Sequence, residues 1–365
     1  MSRDLIPNIR MSGRTHSTVE SDLAWCHEAV QGVSRTFALT VDVLDEPMAS
    51  QICLGYLLCR VADTVEDAGH IPPAEQTAVL RTYKAAIDPE TDTTIKAFRA
   101  EIDEWLPPPA DRTDDWDVVA ESPTILATFE QLDPEARSAI VPPVLEMVDG
   151  MAMFLDRHAA DGGLRINNRD ELEQYCYYAA GTVGNLITNL LVRGDVAEER
   201  ARQLRATAEE FGLLLQLVNV SKDVYDDYTE ENNVYLPAEW LEAEGVDQDA
   251  IIDPENRESS ARVVNRAADH AHSFLDDAQA YLEHMPLSNG NTMAAWTVPY
   301  LLAVGTLREL RDRPEDALTE TGVKISRQEV FAVMSVAGEA GRDSLADLRE
   351  TIARMPFHRA IEPAD

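Results

Sequence analysis

Apolar residues recur at spacings of three and four through 22–40, 47–68, 74–87, 136–157, 170–192, 197–228, 258–284, 292–311 and 327–354. That is the period of an amphipathic helix. Period-two alternation is scarce, and Gly and Pro fall mostly between the periodic runs, as breakers do. The pattern predicts an all-α protein, a single helical bundle with short connections. No repeat with a period of 20 to 50 residues is visible. Between the runs, "WLPPPADRTDDWDVVAESP" (105–123) reads as a surface excursion. Residues 228–240 read as a loop ending in a proline turn, and 285–292 as a helix break. The expected division is an N-terminal extension over 1–20, one domain over 21–354 and a frayed tail over 355–365.

Two of the apolar helices carry a polar stripe. Tyr56, Arg60, Asp63 and Asp67 follow one another at four, three and four residues, which places them on one face. Gln216, Asn219, Asp223 and Asp227 repeat that spacing, flanked by Lys222 and Asp226. A polar stripe on so apolar a helix makes sense lining a cavity. Each stripe ends in D-x-x-x-D. Carboxylates so spaced can hold a magnesium ion through one oxygen each and leave room for substrate phosphates. Two facing pairs would clamp a diphosphate, the metal offsetting the charge of protein and leaving group. The competing reading of either pair alone is a solvated acidic face.

Between the pairs lies "YCYYAAGTVGNLITNLL" (175–191). Tyr175, Tyr178, Thr182 and Asn189 fall near one face, while Ala179, Ala180, Gly181 and Gly184 leave another almost bare. Glycine in a helix costs about 1 kcal/mol against alanine. Its presence here implies close backbone approach, a kink, or space for a ligand. Upstream, Ser34, Arg35 and Thr36 lead into an apolar segment. Arg35 is either a guanidinium for phosphate oxygens or an ordinary exposed arginine at a helix start.

Composition narrows the partners. The 365 residues carry a formal charge of −35 with 45% hydrophobic content. Lysine occurs only at 84, 96, 222 and 324, so arginine supplies nearly all the positive charge. Such an acidic, lysine-poor surface fits a high-salt cytoplasm, where salt screens carboxylate repulsion. Nucleic acid and anionic membranes are repelled in the absence of a basic patch. A small anionic substrate needs metal ions or arginines to enter. Cys26, Cys53, Cys59 and Cys176 form no C-x-x-C pair and read as buried free thiols of a reducing compartment. The N-terminus lacks a signal-peptide core, and no apolar run approaches the ~18 residues that span a bilayer. A cytoplasmic protein, soluble or peripherally membrane-associated, is expected.

Taken in order, "SRTF" (34–37), "RVADTVED" (60–67), "YCYYAAGTVG" (175–184), "QLVNVSKDVYDD" (216–227) and "VYLP" (234–237) resemble the motifs of the squalene/phytoene synthase family, nearest its squalene synthase branch. The resemblance runs over residues 25 to 310. It implies an isoprenoid synthase fold around a deep central cavity. It also implies Mg2+ on Asp63, Asp67, Asp223 and Asp227, holding the diphosphates of two farnesyl diphosphates. By the same resemblance Arg60 and Arg35 match diphosphate-binding positions, with Ser34 and Lys222 beside the substrate. Tyr56, Gln216 and Asn219 match the cavity lining, and Tyr175 matches a tyrosine that assists the first half-reaction. A second, NADPH-dependent reduction points to Lys324 in "GVKIS" (322–326) and to Asn219. A monomer or weak homo-oligomer is expected, with transient membrane contact for product release and no nucleic-acid partner. Three departures stand out. Lys222 replaces the usual arginine, Ser326 replaces a basic residue, and Ala295–Trp296 stand where eukaryotic squalene synthases carry Phe-Cys. Two alternatives remain: a phytoene or dehydrosqualene synthase without the reductive step, and a non-catalytic helical protein binding prenyl lipid or metal.

Overall fold

The computed structural model describes residues 16–287, 291–338 and 341–361, save the side chains of 16–19 and 35. Its regular structure is helical, and the one β-type pairing among the described residues is an isolated parallel bridge between Arg165 and Val234. Four of the nine periodic runs become single helices with nearly the expected ends: Met48–Glu66, Pro73–Ile87, Pro134–Arg157 and Thr292–Asp312.

Where the structure departs from the periodicity, a local polar group often explains it. The run 22–40 divides at Ser34, whose backbone turns extended and whose hydroxyl accepts from Phe37 N. That is an N-cap, and it separates helices His16–Val33 and Arg35–Asp42. The run 197–228 breaks at Asp223 into Glu198–Lys222 and Val224–Glu230, and 258–284 breaks after His272. The run 327–354 forms two helices, Arg327–Ala337 and Arg342–Arg354. The segment 105–123 is not a mere excursion. Thr113 caps helix Asp114–Ala120, three aspartates occupy its first turn, and Val118, Val119 and Ala120 are buried. Acidic residues suit a helix N-terminus. The tail carries a short helix, Phe357–Ile361.

Helix Met48–Glu66 runs through the core against Pro134–Arg157, and Glu198–Lys222 packs on Leu275–His284, Arg257–His272 and Thr292–Asp312. The run 170–192 is continuous but widens at Tyr177–Gly181 into a single π turn, a feature frequent at functional sites. Its glycine puzzle resolves as close backbone approach. A Cβ on Gly184 would fall 2.1 Å from Ala208 O, and one on Gly212 would fall 2.3 Å from Ala180 O. The two helices therefore meet backbone to backbone. Helix Pro134–Arg157 is long and apolar enough to cross a membrane; here it packs against Pro73–Ile87, Met48–Glu66 and Thr182–Leu191. All four cysteines are buried and free.

Candidate active site

The first polar stripe is unusually clean. Of all residues in helix Met48–Glu66, only Tyr56, Arg60 and Asp63 escape burial. All three face a cavity of about 450 Å³. The opposite wall comes from Gln216, Asn219 and Lys222 on helix Glu198–Lys222, and Ser34 closes one side. Between them the lining is apolar or bare: Ala179, Ala180, Val183 and Gly184 from the π-turn helix, with Phe211, Trp296 and Leu302. Phe37 stacks on Tyr56 with ring centroids 3.9 Å apart, and Trp296 lies 5.8 Å from Phe37. Burial pushes the Tyr56 phenol up to about 12, so it stays protonated at neutral pH. Arg35 begins the helix beside Ser34, and its side chain lies outside the described residues.

Acids and cations gather at the mouth. Arg60 Nη1 pairs with Asp63, and Arg60 Nε donates to Asp115 Oδ1 at 2.7 Å. Lys222 pairs with Asp223. The second aspartates are less relieved. Asp67 is held well above the usual carboxylate range, first by burial, then by Asp63 and Glu231, with Arg60 pulling down and Asp227 pushing up. Asp227 is raised by burial and then by Asp223, with Lys222 opposing. The two D-x-x-x-D segments, 160 positions apart in sequence, thus come near enough for Asp227 to act on Asp67.

Beneath the acids lies a buried polar chain. The Tyr175 hydroxyl is 3.2 Å from Glu66 Oε2 and 3.1 Å from the Tyr235 hydroxyl. Asn233 Nδ2 donates to Tyr235 at 3.1 Å and reaches Glu231 Oε2 at 3.3 Å. Tyr175 is buried in this layer, stacked on Tyr235, and is not part of the cavity lining. Its phenol, pushed well above its ordinary value by burial and by Glu66, keeps its proton. Glu66 Oε1 is buried with no hydrogen-bond partner, a costly state for a carboxylate. Burial and the neighbouring Asp67 and Asp63 raise Glu66 as well. Glu231 is raised to about 9, by burial and then Asp227 and Glu66.

Among the described residues, no three His, Cys, Asp or Glu side chains form a ready-made metal cage. The donor set nonetheless fits a hard cation that takes one or two carboxylates and completes its shell with phosphate oxygens. An orphaned buried oxygen and crowded, raised carboxylates are what such a charge would relieve.

The residues singled out from the sequence therefore divide. Ser34, Tyr56, Arg60, Asp63, Gln216, Asn219 and Lys222 line one cavity. Asp67, Asp223 and Asp227 are not in the lining but adjoin it: Asp223 pairs with Lys222, and Asp63 and Asp227 both act on Asp67; Tyr175 meets Glu66 in a buried layer. Lys324 is not brought in: it is exposed, outside the cavity lining, and its carbonyl accepts from Arg313 Nη2 at 2.8 Å. Sequence reasoning passed over Asp115, Glu231 and Tyr235. Glu231 was within reach, since it continues the four-residue spacing of Asp223 and Asp227. The family model described as squalene/phytoene synthase matches residues 30–329, which contain every one of these groups.

The chain belongs to the squalene/phytoene synthase family.

Its relatives agree. Squalene synthase of Schizosaccharomyces pombe is 24% identical over 317 residues, 87% of this chain and 65% of that protein. Squalene synthase of Rattus norvegicus is 24% identical over 306 residues, 82% of this chain and 68% of that one. The match spans just under two thirds of the length of the fission yeast relative. Among solved structures, TcSQS with a bound ligand superposes with a TM-score of 0.73 at 22% identity, covering 93% of this chain and 99% of that one. A dehydrosqualene synthase gives 0.62 at 20% identity, covering 88% and 97%. The fold is the isoprenoid synthase fold of this family.

Proposed function

We propose that this member of the family is a squalene synthase, joining two farnesyl diphosphates head to head into presqualene diphosphate and then reducing it with NADPH to squalene. What supports the reading is that Asp63 of one D-x-x-x-D segment and Lys222, beside the other, line one largely apolar cavity, with Asp227 acting electrostatically on Asp67. Asp63, Asp67, Asp223 and Asp227 would hold Mg2+, which when bound neutralises the diphosphate and eases its departure. Arg60 and Lys222, each pairing with the first aspartate of a motif, are placed to turn to phosphate oxygens instead. The apolar wall keeps water from the carbocation. The Phe37, Tyr56 and Trp296 rings offer it electron-rich faces. Tyr175 serves as a neutral phenol that holds Glu66 in place behind the acids. The test is incubation with farnesyl diphosphate and Mg2+, with and without NADPH. Squalene formed only with NADPH supports the reading; turnover of geranylgeranyl diphosphate alone overturns it.

A second reading, dehydrosqualene synthase, is favoured by two features. Lys324 stands outside the cavity, and Trp296 fills its wall. Product without squalene, unaffected by NADPH, would select it. Activity in the cytoplasm, with transient membrane contact for the hydrocarbon product, accompanies either reading.

A further inference from the structure

We infer that Asp115 is the positioning residue for Arg60, fixing the guanidinium from behind so that its outer edge meets the substrate diphosphate. The inference rests on the proposed function for the diphosphate and for Asp63 as a metal ligand, and on geometry for the Arg60–Asp115 pair.

Arg60 presents a planar fork with five donors. Its Nε is bonded to Asp115 Oδ1 at 2.7 Å, and its Nη1 to Asp63. Among the described residues no hydrogen bond engages Nη2. The two acids differ in what else they must do. Asp63 belongs to the metal-binding pair and cannot keep both a cation and Arg60. Asp115 has no such second task. Once Asp63 turns to metal, Asp115 remains to define the plane of the fork, leaving Nη1 and Nη2 side by side for two oxygens of one phosphate. Paired donors of this kind give arginine its geometric specificity for phosphate.

Asp115 is itself held rigidly. It sits in the first turn of helix Asp114–Ala120, which is capped by Thr113 and anchored by buried Val118 and Val119. That helix packs on both Met48–Glu66 and His16–Val33. Trp116 next door meets the His70 ring edge-on at 5.3 Å, and His70 Nε2 lies 3.2 Å from Trp105 O. The segment thus braces the far side of the mouth. Asp115 and Arg60 are both about two-thirds or more buried, at 31% and 27% side-chain exposure, which limits screening of the pair.

The experiment compares Asp115→Asn and Asp115→Glu with the parent, alone and with Arg60→Ala. Asp115→Asn should raise the KM for farnesyl diphosphate about tenfold with kcat within about threefold, the loss expected of one charge-assisted contact acting through another group. Asp115→Glu should return KM to within about threefold, by restoring the acceptor. In the Arg60→Ala background, Asp115→Asn should add less than about twofold, because the pair acts as one unit. Calorimetric titration with inorganic pyrophosphate and Mg2+ should show the same loss in affinity without any turnover. An unchanged or lowered KM in Asp115→Asn overturns the inference, since the acid would then merely repel substrate. So does a shifted Mg2+ requirement at constant KM, or full additivity with Arg60→Ala. If the parent turns over no allylic diphosphate, the proposed function fails, while the pyrophosphate titration still decides the role of Asp115.

Discussion

Asp63 and Asp67 close one unbroken buried helix, whereas Asp223 sits at a junction, capping Glu198–Lys222 and opening Val224–Glu230. The spacing is the same and the physics is not. A helix C-terminus carries negative partial charge and an N-terminus positive. Asp67 therefore stands where the backbone opposes it, and Asp227 stands in a first turn where the backbone favours it. Their cations differ too. Arg60 reaches Asp63 from one turn back and is braced by Asp115, while Lys222 is simply the preceding residue. The first motif ends an unbroken helix beside an oriented arginine; the second spans a junction of two helices beside a point charge. Identical motifs in sequence thus need not share a role.

The largest effect should come from removing the first acid of each. Asp63→Asn and Asp223→Asn should each lower kcat/KM more than about a hundredfold, since metal placement serves every step. Steady-state kinetics with farnesyl diphosphate at saturating Mg2+ measures it. If either variant keeps activity within about tenfold of the parent, the two seats are not a joint clamp and the comparison breaks.

Much of this was legible in the chain, because the polar stripe depends only on helical period. Tyr56, Arg60 and Asp63 fall at helical spacing and prove to be the unburied residues of their helix. Gln216, Asn219 and Lys222 likewise recur at helical spacing and line the cavity, though many other residues of their helix are unburied too. What stayed hidden depended on tertiary approach. Nothing in "DRTDDWDVV" distinguishes Asp115 from its acidic neighbours until the fold brings it to Arg60. The pairing of Tyr175 with Tyr235 and Glu66 likewise joins three distant segments. An overall charge of −35 worked against recognition, making every acid look like surface. Lys324 shows the reverse case: an assignment carried by family resemblance that the fold does not bring to the cavity lining.

The helix leading into the second seat is set by backbone contact, through Gly212 and Gly184. Gly212→Ala should lower stability by about 1–3 kcal/mol, as overpacking does, because its Cβ would lie 2.3 Å from Ala180 O, and backbone cannot swing aside. Denaturant unfolding followed by circular dichroism measures this. The loss of activity in the folded fraction should exceed that of an alanine at Gly55, where the nearest neighbour is the Leu186 side chain at 3.2 Å. Equal effects would mean that the Ala180 contact does not set the second wall.

The smallest effect tests the charge difference directly. Glu231, one turn beyond Asp227, is raised to about 9 by burial, Asp227 and Glu66. An acid raised in the folded state stabilises it fully below the unfolded value, about 4.3. That contribution fades as pH climbs from there through about 9. At neutral pH the folded chain therefore holds a proton that the unfolded chain has released. A bound cation favours the carboxylate, so Mg2+ with pyrophosphate should expel that proton and bind more tightly as pH rises from about 6 to 9. Calorimetry in two buffers of different ionisation enthalpy counts the proton. Glu231→Gln should cut the release at about pH 7.5 by roughly half and flatten the pH dependence of affinity, leaving the remainder to Glu66, Asp67 and Asp227. No change in proton release would place Glu231 outside the shared field and leave the second motif independent of the first.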